Sequence, residues 1–224
     1  MKISVEIIKV SKYIFFKNYS YLVINTESRE TVIIDPSWQT EKIDKKIHEL
    51  NLYPKAILIT HSHFDHAGSV DYLTKKYGLN VYMSKDEIDY YGFHCSNLVA
   101  LKDDEIIPFG TSGIKPILTP GHTKGGMCYL IDGNYFTGDT IFTEGCGICW
   151  GDGADPREMY SSIQKIKKNI SSETKIFPGH SYGEEPGKPF SYLLKNNIYI
   201  NINSEEEFIS FRMRKNQSGL FNFK

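Results

Sequence analysis

The sequence predicts an α/β protein in which two packed sheets carry helices on their outer faces. Strand-like runs separated by polar turns occupy the first 34 residues, amphipathic helical segments alternate with short apolar runs from residue 41, and the strand-and-turn pattern returns after residue 114. The chain has 224 residues and a formal net charge of -1. This length suits one globular unit, so residues 1–224 are expected to form a single domain.

The first half is expected to pass from an antiparallel meander to alternating helices and strands. Runs rich in Val, Ile, Tyr and Phe predict strands over residues 5–10, 13–16, 21–25 and 31–34. Apolar residues at helical spacing predict helices over residues 41–52 and 67–77, on either side of a buried strand over residues 55–60. Ser84 and Glu87 have the spacing of a capping box, which predicts a further short helix.

The second half repeats this organisation loosely. Strands are predicted over residues 115–119, 127–131, 135–137 and 175–177, with Asp132-Gly133 as a hairpin turn. Asp155 followed by Pro156 predicts the start of a helix, because a capping side chain precedes a proline at the first helical position. Ser204 is expected to cap a last helix that carries Phe208 and Phe211.

Composition excludes several classes of function. The 26 Lys and Arg residues nearly balance the 27 Asp and Glu residues, so no overall field attracts nucleic acid or an anionic membrane surface. The N-terminal residues alternate charged and apolar side chains, unlike a signal peptide, and no later stretch has membrane-spanning length. We therefore expect a cytoplasmic protein that binds neither nucleic acid nor membrane.

The four cysteines are too few and too scattered for a disulfide framework in a chain of this length. Cys146 and Cys149 have the C-x-x-C spacing, but no helix signal follows them and no second pair accompanies them. Packing in the core or beside a pocket is therefore preferred to a redox or structural zinc role.

Residues 60–68 read T-H-S-H-F-D-H-A-G and directly follow an apolar run. If the strand geometry continues, His61 and His63 point to the same side, while Asp65 and His66 open the next turn and face a neighbouring point. Two adjacent metal ions account for these four residues better than one.

Three further candidates, His122, Asp139 and His180, each follow an apolar run and stand beside a glycine. Burying several ionisable groups together costs several kcal/mol unless they are paired or bind a cation, which favours a metal site. His48 and His94 lie in ordinary helix and loop contexts and are expected to be surface residues.

His61-x-His63-x-Asp65-His66, followed in order by His122, Asp139 and His180, resembles the ligand motifs of the metallo-β-lactamase superfamily. The resemblance implies a four-layer αββα sandwich with the metals at one edge between the sheets. It implies His61, His63 and His122 as ligands of the first metal, Asp65, His66 and His180 as ligands of the second, and Asp139 as the bridging carboxylate. The histidine in the second set, together with Asp139, resembles the glyoxalase II-like branch.

The resemblance also implies a binuclear hydrolase with two zinc ions, although the same ligands accept iron or manganese. A pair of cations lowers the pKa of the water between them, so no serine or cysteine nucleophile is required. Asp65 and Asp139 are the expected catalytic carboxylates, and Asp65 both ligates and orients the nucleophile.

The substrate is expected to be an acyl thioester. Ile148 stands where glutathione-specific enzymes of this branch carry a lysine, and the chain after His180 is short. Both features count against glutathione thioesters. The layout more nearly resembles the short glyoxalase II-like hydrolases of polyketide-synthase gene clusters, of the PksB type, and the resemblance implies a small acyl thioester or an acyl carrier protein as substrate. The basic residues within 211–215 would contact an acidic carrier or lie on a solvated helix face. Tyr90, Tyr91, Phe93 and Trp150 are expected to border the pocket.

Two alternatives remain at this stage. A persulfide dioxygenase would use a related ligand set for a single iron, with Asp65, His66 and His180 largely free of metal. The protein could also be a non-catalytic metal-binding partner. A nuclease of the same superfamily would need a basic groove, which the near-zero net charge does not offer.

Overall fold

The computed structural model describes residues 2–12, 16–111 and 113–214, and its first sheet has six strands. The strands are β1 Ile3–Lys12, β2 Phe16–Asn25, β3 Glu30–Ile34, β4 Tyr53–Leu58, β5 Asn80–Ser84 and β6 Leu98–Leu101. They lie in chain order, with antiparallel pairing from β1 to β3 and parallel pairing from β3 to β6. The predicted meander is confirmed, although positions 13–15 of the strand predicted over 13–16 lie outside the described residues.

Seven further strands follow among the described residues of the second half. They are β7 Lys115–Leu118, β8 Met127–Ile131, β9 Asn134–Gly138, β10 Ile141–Phe142, β11 Gly145–Cys146, β12 Lys175–Pro178 and β13 Lys188–Pro189. The second sheet has the order β13-β12-β9-β8-β7, and β10 and β11 form a separate ribbon. The predicted hairpin is confirmed, because Asp132 and Gly133 have φ of 46° and 74°, as a type I′ turn between β8 and β9 requires.

The helices pack on the outer faces of the two sheets. They are α1 Thr40–Glu49, α2 Phe64–Ala67, α3 Val70–Tyr77, α4 Lys85–Tyr91, α5 Pro156–Asn169, α6 Phe190–Asn196, α7 Ile198–Asn201 and α8 Glu205–Arg212. The caps predicted at Ser84, Asp155 and Ser204 are confirmed, since each side chain accepts a hydrogen bond from a backbone amide of its first turn. In the described part of the chain, no helix combines the length and the apolar character that crossing a bilayer demands.

The side chains of β2 alternate between two cores. Tyr21 and Val23 face the second sheet and pack with residues such as Phe136, whereas Leu22 and Ile24 face α1 and α3. A third core lies on the far side of the second sheet, where α5 to α8 cover it. The order helix, sheet, sheet, helix confirms the predicted αββα sandwich.

The candidate ligands follow the ends of strands at one edge of the sandwich. His61 follows β4 of the first sheet, whereas Asp139 and His180 follow β9 and β12, which are parallel neighbours in the second sheet. The prediction that strand geometry continues through His63 is wrong. β4 ends at Leu58, and His63 is the residue that precedes α2, so the chain turns between the two histidines.

Candidate metal centre

His61, His63 and His122 form a first group of imidazoles. Their ring centroids lie 4.6 Å (His61 to His63), 5.0 Å (His61 to His122) and 4.9 Å (His63 to His122) apart. One ring nitrogen of each lies within 4.8 Å of the others. The turn after β4 of the first sheet therefore brings His61 and His63 close to His122, which lies in the loop after β7 of the second sheet.

Asp65, His66 and His180 form a second group beside the first. Asp65 Oδ2 lies 3.4 Å from His180 Nε2 and 3.7 Å from His66 Nε2. His66 is fully buried in the first sheet's outer layer, and His180 follows β12 of the second sheet. The second group thus also joins the two sheets.

Asp139 lies between the two groups. Its Oδ1 is 3.5 Å from His66 Nε2, and its Oδ2 is 3.5 Å from His122 Nε2 and 3.2 Å from His180 Nε2. One carboxylate therefore faces ligand atoms of both groups, which is the position that a bridging ligand needs.

Three buried polar atoms of this cluster have no hydrogen-bond partner among the described residues: His61 Nε2, His66 Nε2 and Asp139 Oδ1. Buried polar atoms are nearly always satisfied, so a group of unsatisfied atoms aimed at one another is typical of a site that binds a cation. Imidazole nitrogens and carboxylate oxygens are the donors that zinc and iron accept. The residues therefore fit the binding of metal.

The two groups differ in their protonation. Burial lowers the pKa of His122 to about 4, and burial also holds the pKa of His61 well below its usual value. Burial disfavours the charged form of His180 as well, but the carboxylates of Asp139 and Asp65 outweigh it and raise the pKa of His180 to about 10. His61 and His122 are thus ready to bind a cation, whereas His180 holds a proton that a cation would displace.

Both carboxylates of the cluster are ionised. Burial raises the pKa of Asp65 and of Asp139, but hydrogen bonds and charge from His180 and His66 hold both pKa values well below the usual range. The carboxylates therefore offer negative charge to a metal at neutral pH.

Asp35 fixes the orientation of candidate ligands through hydrogen bonds of its carboxylate. It is buried, and its Oδ2 lies 2.9 Å from His66 Nδ1 and accepts a 2.7 Å hydrogen bond from Thr60 Oγ1. Thr60 also donates its backbone amide to Asp35 Oδ1 at 2.8 Å, and Thr60 Oγ1 is 3.1 Å from His61 Nδ1. One acid thereby orders ligands of both groups.

The other ligands have partners of their own. Asn18 donates its side-chain amide to Asp65 Oδ2 at 2.9 Å. His122 Nδ1 faces the Ile148 carbonyl oxygen at 2.9 Å, and His180 Nδ1 faces the Lys17 carbonyl oxygen at 3.3 Å. With Nδ1 as the donor, Nε2 of both imidazoles is left for the cluster.

Asp35 and Asn18 were not predicted as site residues. Asp35 had a recognisable signal, since it follows the apolar run of β3 as the ligands follow theirs. Asn18 had none, because it lies within β2 and reaches Asp65 only through the folding of the sheet.

A cavity of about 180 Å³ opens beside the cluster. Five of the candidate ligands line it, and the remaining lining residues are Phe142, Gly147, Ile148 and Tyr182. The candidate ligands therefore form one wall of the cavity, and apolar or aromatic side chains form much of its remaining surface.

The aromatic residues predicted to border the pocket do not line it. Tyr90 and Tyr91 instead donate hydrogen bonds to Asp152, at 2.8 Å in both cases. Phe93 packs against the core beneath α1 and α3, and Trp150 is 64% exposed. That prediction was wrong because nearness in sequence to the ligand motifs did not determine the direction of these side chains.

Cys146 and Cys149 are buried, unpaired in a disulfide, and packed in the core beneath α5 to α8, as predicted. Arg212 was expected on a tail that is solvated or meets a carrier, but it is buried and donates from Nε to the Gly147 carbonyl oxygen at 2.9 Å. Lys215 of that tail lies outside the described residues. His48 and His94 are exposed, as predicted.

Comparison with known proteins places this cluster in a family context. The sequence profile described as the metallo-beta-lactamase superfamily matches residues 14–180. The chain is 49% identical over 214 residues to the probable polyketide biosynthesis zinc-dependent hydrolase PksB of Bacillus subtilis (strain 168), covering 96% of this chain and 95% of that protein. It is also 49% identical over 209 residues to the probable polyketide biosynthesis zinc-dependent hydrolase BaeB of Bacillus velezensis, covering 93% of each.

A solved structure has the same architecture. The crystal structure of ETHE1 from Myxococcus xanthus superimposes with a TM-score of 0.81 at 25% identity, covering 94% of this chain and 91% of that one. The αββα sandwich thus agrees with the similarity found from sequence.

Proposed function

Because the chain belongs to the metallo-beta-lactamase superfamily, we propose that it is a binuclear zinc-dependent hydrolase of acyl thioesters in polyketide biosynthesis, acting on acyl groups held by a carrier protein. The observation that carries the proposal is the convergence of the seven predicted ligands into two groups that share Asp139. The names of PksB and BaeB support zinc, hydrolysis and the polyketide context.

We assign the first metal to His61, His63 and His122, and the second to Asp65, His66 and His180. Asp139 would contribute to both, since its Oδ2 faces His122 of the first group as well as His180 of the second, and its Oδ1 faces His66 of the second. When bound, such a pair of ions supplies an activated water and polarises a carbonyl oxygen. This assignment agrees with the unsatisfied ring nitrogens that point into the cluster.

The protein's own side chains position the reaction. Asp65 lines the cavity as an ionised carboxylate, and Asn18 holds its Oδ2, so it can accept a hydrogen bond from a water and orient it. Among the described residues that line the cavity there is no serine or cysteine, which agrees with attack by water instead of a protein nucleophile.

The cavity wall supports a substrate with an uncharged reacting end. Phe142, Ile148 and Tyr182 offer apolar and aromatic surface next to the cluster, and no lysine or arginine occurs among the described lining residues. The two carboxylates of glutathione would find no cationic partner there. At about 180 Å³, the cavity holds the thioester and a small part of the acyl group, while a carrier would stay outside.

Metal content and hydrolysis, measured on the same natively purified protein, test the proposal. Elemental analysis should find two zinc ions per chain, and a panel of glutathione, coenzyme A and carrier-protein thioesters should show turnover of the carrier or coenzyme A forms. A single iron with oxygen uptake and no hydrolysis would overturn the proposal and favour dioxygenase chemistry. A metal-loaded protein that turns over none of these substrates would favour a non-catalytic metal-binding role.

A further inference from the structure

Glu87 is a fully buried acid that the proposed chemistry does not use. The capping box predicted at Ser84 is only half formed, because Ser84 Oγ accepts a hydrogen bond from the Glu87 amide at 3.1 Å while the Glu87 carboxylate points away from the helix start. A buried carboxylate that leaves its helix must find donors elsewhere.

Its donors lie in two segments that carry candidate ligands. Glu87 Oε1 accepts hydrogen bonds from the backbone amide and from Oγ of Ser62, both at 2.7 Å. Glu87 Oε2 accepts a hydrogen bond from the Gly125 amide at 2.9 Å. Three hydrogen bonds of 2.7 to 2.9 Å therefore connect this one carboxylate to both segments.

These two segments contain the whole first group and only part of the second. Ser62 stands between His61 and His63, and Gly125 is in the loop that follows His122. In contrast, ligands of the second group contact Asp35 (His66), Asn18 (Asp65) and the Lys17 carbonyl oxygen (His180). Glu87 therefore connects the two segments of the first group directly, whereas Asp35 contacts His66 and, through Thr60, His61.

Helix α4 approaches the His122 loop very closely. A Cβ atom at Gly125 would lie 2.0 Å from the Glu87 backbone nitrogen, so glycine is required for this contact. One turn further along α4, Tyr91 Oη accepts a hydrogen bond from the Lys124 amide at 3.2 Å and donates one to the Asp152 carbonyl oxygen at 2.8 Å. Helix α4 thus fixes the His122 loop at two adjacent amides.

We propose that Glu87 is a positioning residue that sets the distance between the His61/His63 turn and His122, and thereby the metal affinity of the first group. This inference rests on the metal centre proposed above. A positioning role predicts that loss of the Glu87 carboxylate lowers the affinity for the metal ion of the first group alone. A general contribution to stability would lower the affinity for both ions or for neither.

Glu87→Gln is the central test, because it keeps the size of the side chain but replaces one acceptor oxygen with an NH₂ donor. The glutamine carbonyl can still accept from one segment, but its NH₂ group meets a donor at the other. Loss of an outer hydrogen-bond partner of metal ligands typically costs about 10–100-fold in metal affinity. We expect a loss of that size for one of two zinc-binding events and less than about a threefold change in the other.

The events are assigned with two ligand variants in the same chelator-competition titration. His63→Ala removes a ligand of the first group alone, and His180→Ala removes a ligand of the second group alone. The event weakened by Glu87→Gln should be the one lost in His63→Ala. Weakening of the event lost in His180→Ala, or equal weakening of both, would overturn the inference.

Asp86→Asn is the matched control, because Asp86 is the exposed acid next to Glu87 on the same helix. It should leave both events unchanged. Ser62→Ala is a milder variant that deletes only the hydroxyl donor and keeps the two backbone hydrogen bonds, so a smaller, same-direction loss is expected even if Glu87→Gln does not fold. Wild-type affinity of both events in Ser62→Ala would then overturn the inference.

The outcome separates this inference from the proposed function. If the wild-type protein shows no two-zinc binding, the metal centre itself is wrong. If it binds two zinc ions and both Glu87→Gln and Ser62→Ala bind them with wild-type affinity, only the positioning role of Glu87 is wrong. Substitution of zinc by cobalt gives a second readout, since a displaced His122 should change the visible absorption of the cobalt ion at the first group.

Discussion

Asp35 Oδ2 lies 2.9 Å from His66 Nδ1, and both side chains are buried. Asp35 has a positive φ of 47°, which aspartate tolerates better than most residues, and it directly follows the last residue of β3. The carboxylate also accepts two hydrogen bonds from Thr60, which directly precedes His61. Asp35, which does not line the cavity, thus connects the end of β3 to His61 and His66, which follow β4.

Asp35→Asn should weaken metal binding. The asparagine amide cannot accept from both His66 and Thr60 as the carboxylate does, so His66 loses the partner that fixes its ring. We expect about a 10–100-fold loss of zinc affinity and a fall of about 1–3 kcal/mol in the free energy of unfolding of the metal-free protein. Chelator competition and urea unfolding measure the two effects. Asp104→Asn, at an exposed ion pair with Lys115, should change neither.

His63→Ala and Asp139→Ala should lose metal and hydrolysis together, to different extents. His63 belongs to one group, so its loss should remove about one equivalent of zinc, whereas Asp139 faces both groups and its loss should weaken both equivalents. Elemental analysis and thioester hydrolysis on each variant check this. Full hydrolysis in either variant would contradict the ligand assignment, and His48→Ala, on an exposed helix face, serves as control.

The approach of four candidate ligands to one another could be predicted, because each of the four carries its own local signal. His61, His122, Asp139 and His180 all follow an apolar run, and strand ends at one edge of a sandwich come together whatever the details of the loops. The geometry of the turn at His63 was predicted wrongly, since the sequence does not show that β4 already ends at Leu58.

The residues that hold the ligands could not be predicted, because their roles arise from contacts between distant segments. The sequence predicts Glu87 as half of a capping box. Only the packing of α4 against Gly125 directs its carboxylate to the segments that carry the candidate ligands. Arg212 reads as part of a basic tail, yet it is buried against Gly147. In both cases the local pattern was compatible with more than one tertiary partner.

Zinc affinity should rise with pH. Burial disfavours the charged form of His180, but Asp139 and Asp65 raise its pKa to about 10 in the metal-free protein, so at neutral pH zinc must displace a proton from it. The proton competes less as the pH increases, and the apparent affinity should grow by about tenfold per pH unit for each proton displaced, until the pH passes the pKa of His180.

Competition titrations between about pH 6.5 and 9, together with calorimetry in two buffers of different ionisation enthalpy, measure this proton release. A pH-independent affinity with no proton released would show that His180 is already neutral before zinc binds. His94→Ala, which alters an exposed histidine outside the cluster, should leave the slope unchanged.

Ile148→Lys should shift substrate preference toward glutathione thioesters. Ile148 lines the cavity, and its backbone carbonyl faces His122, so this contact survives the substitution. The lysine side chain adds a cation to a wall where no lysine or arginine occurs among the described lining residues. A partly desolvated ion pair with a glutathione carboxylate should raise kcat/KM for that substrate about 5–30-fold relative to the coenzyme A thioester, corresponding to about 1–2 kcal/mol. Zinc content should stay at the wild-type level, and Ile148→Leu should keep the wild-type preference. An unchanged ratio in Ile148→Lys with full zinc content would mean that the thiol half of the substrate does not pass this wall.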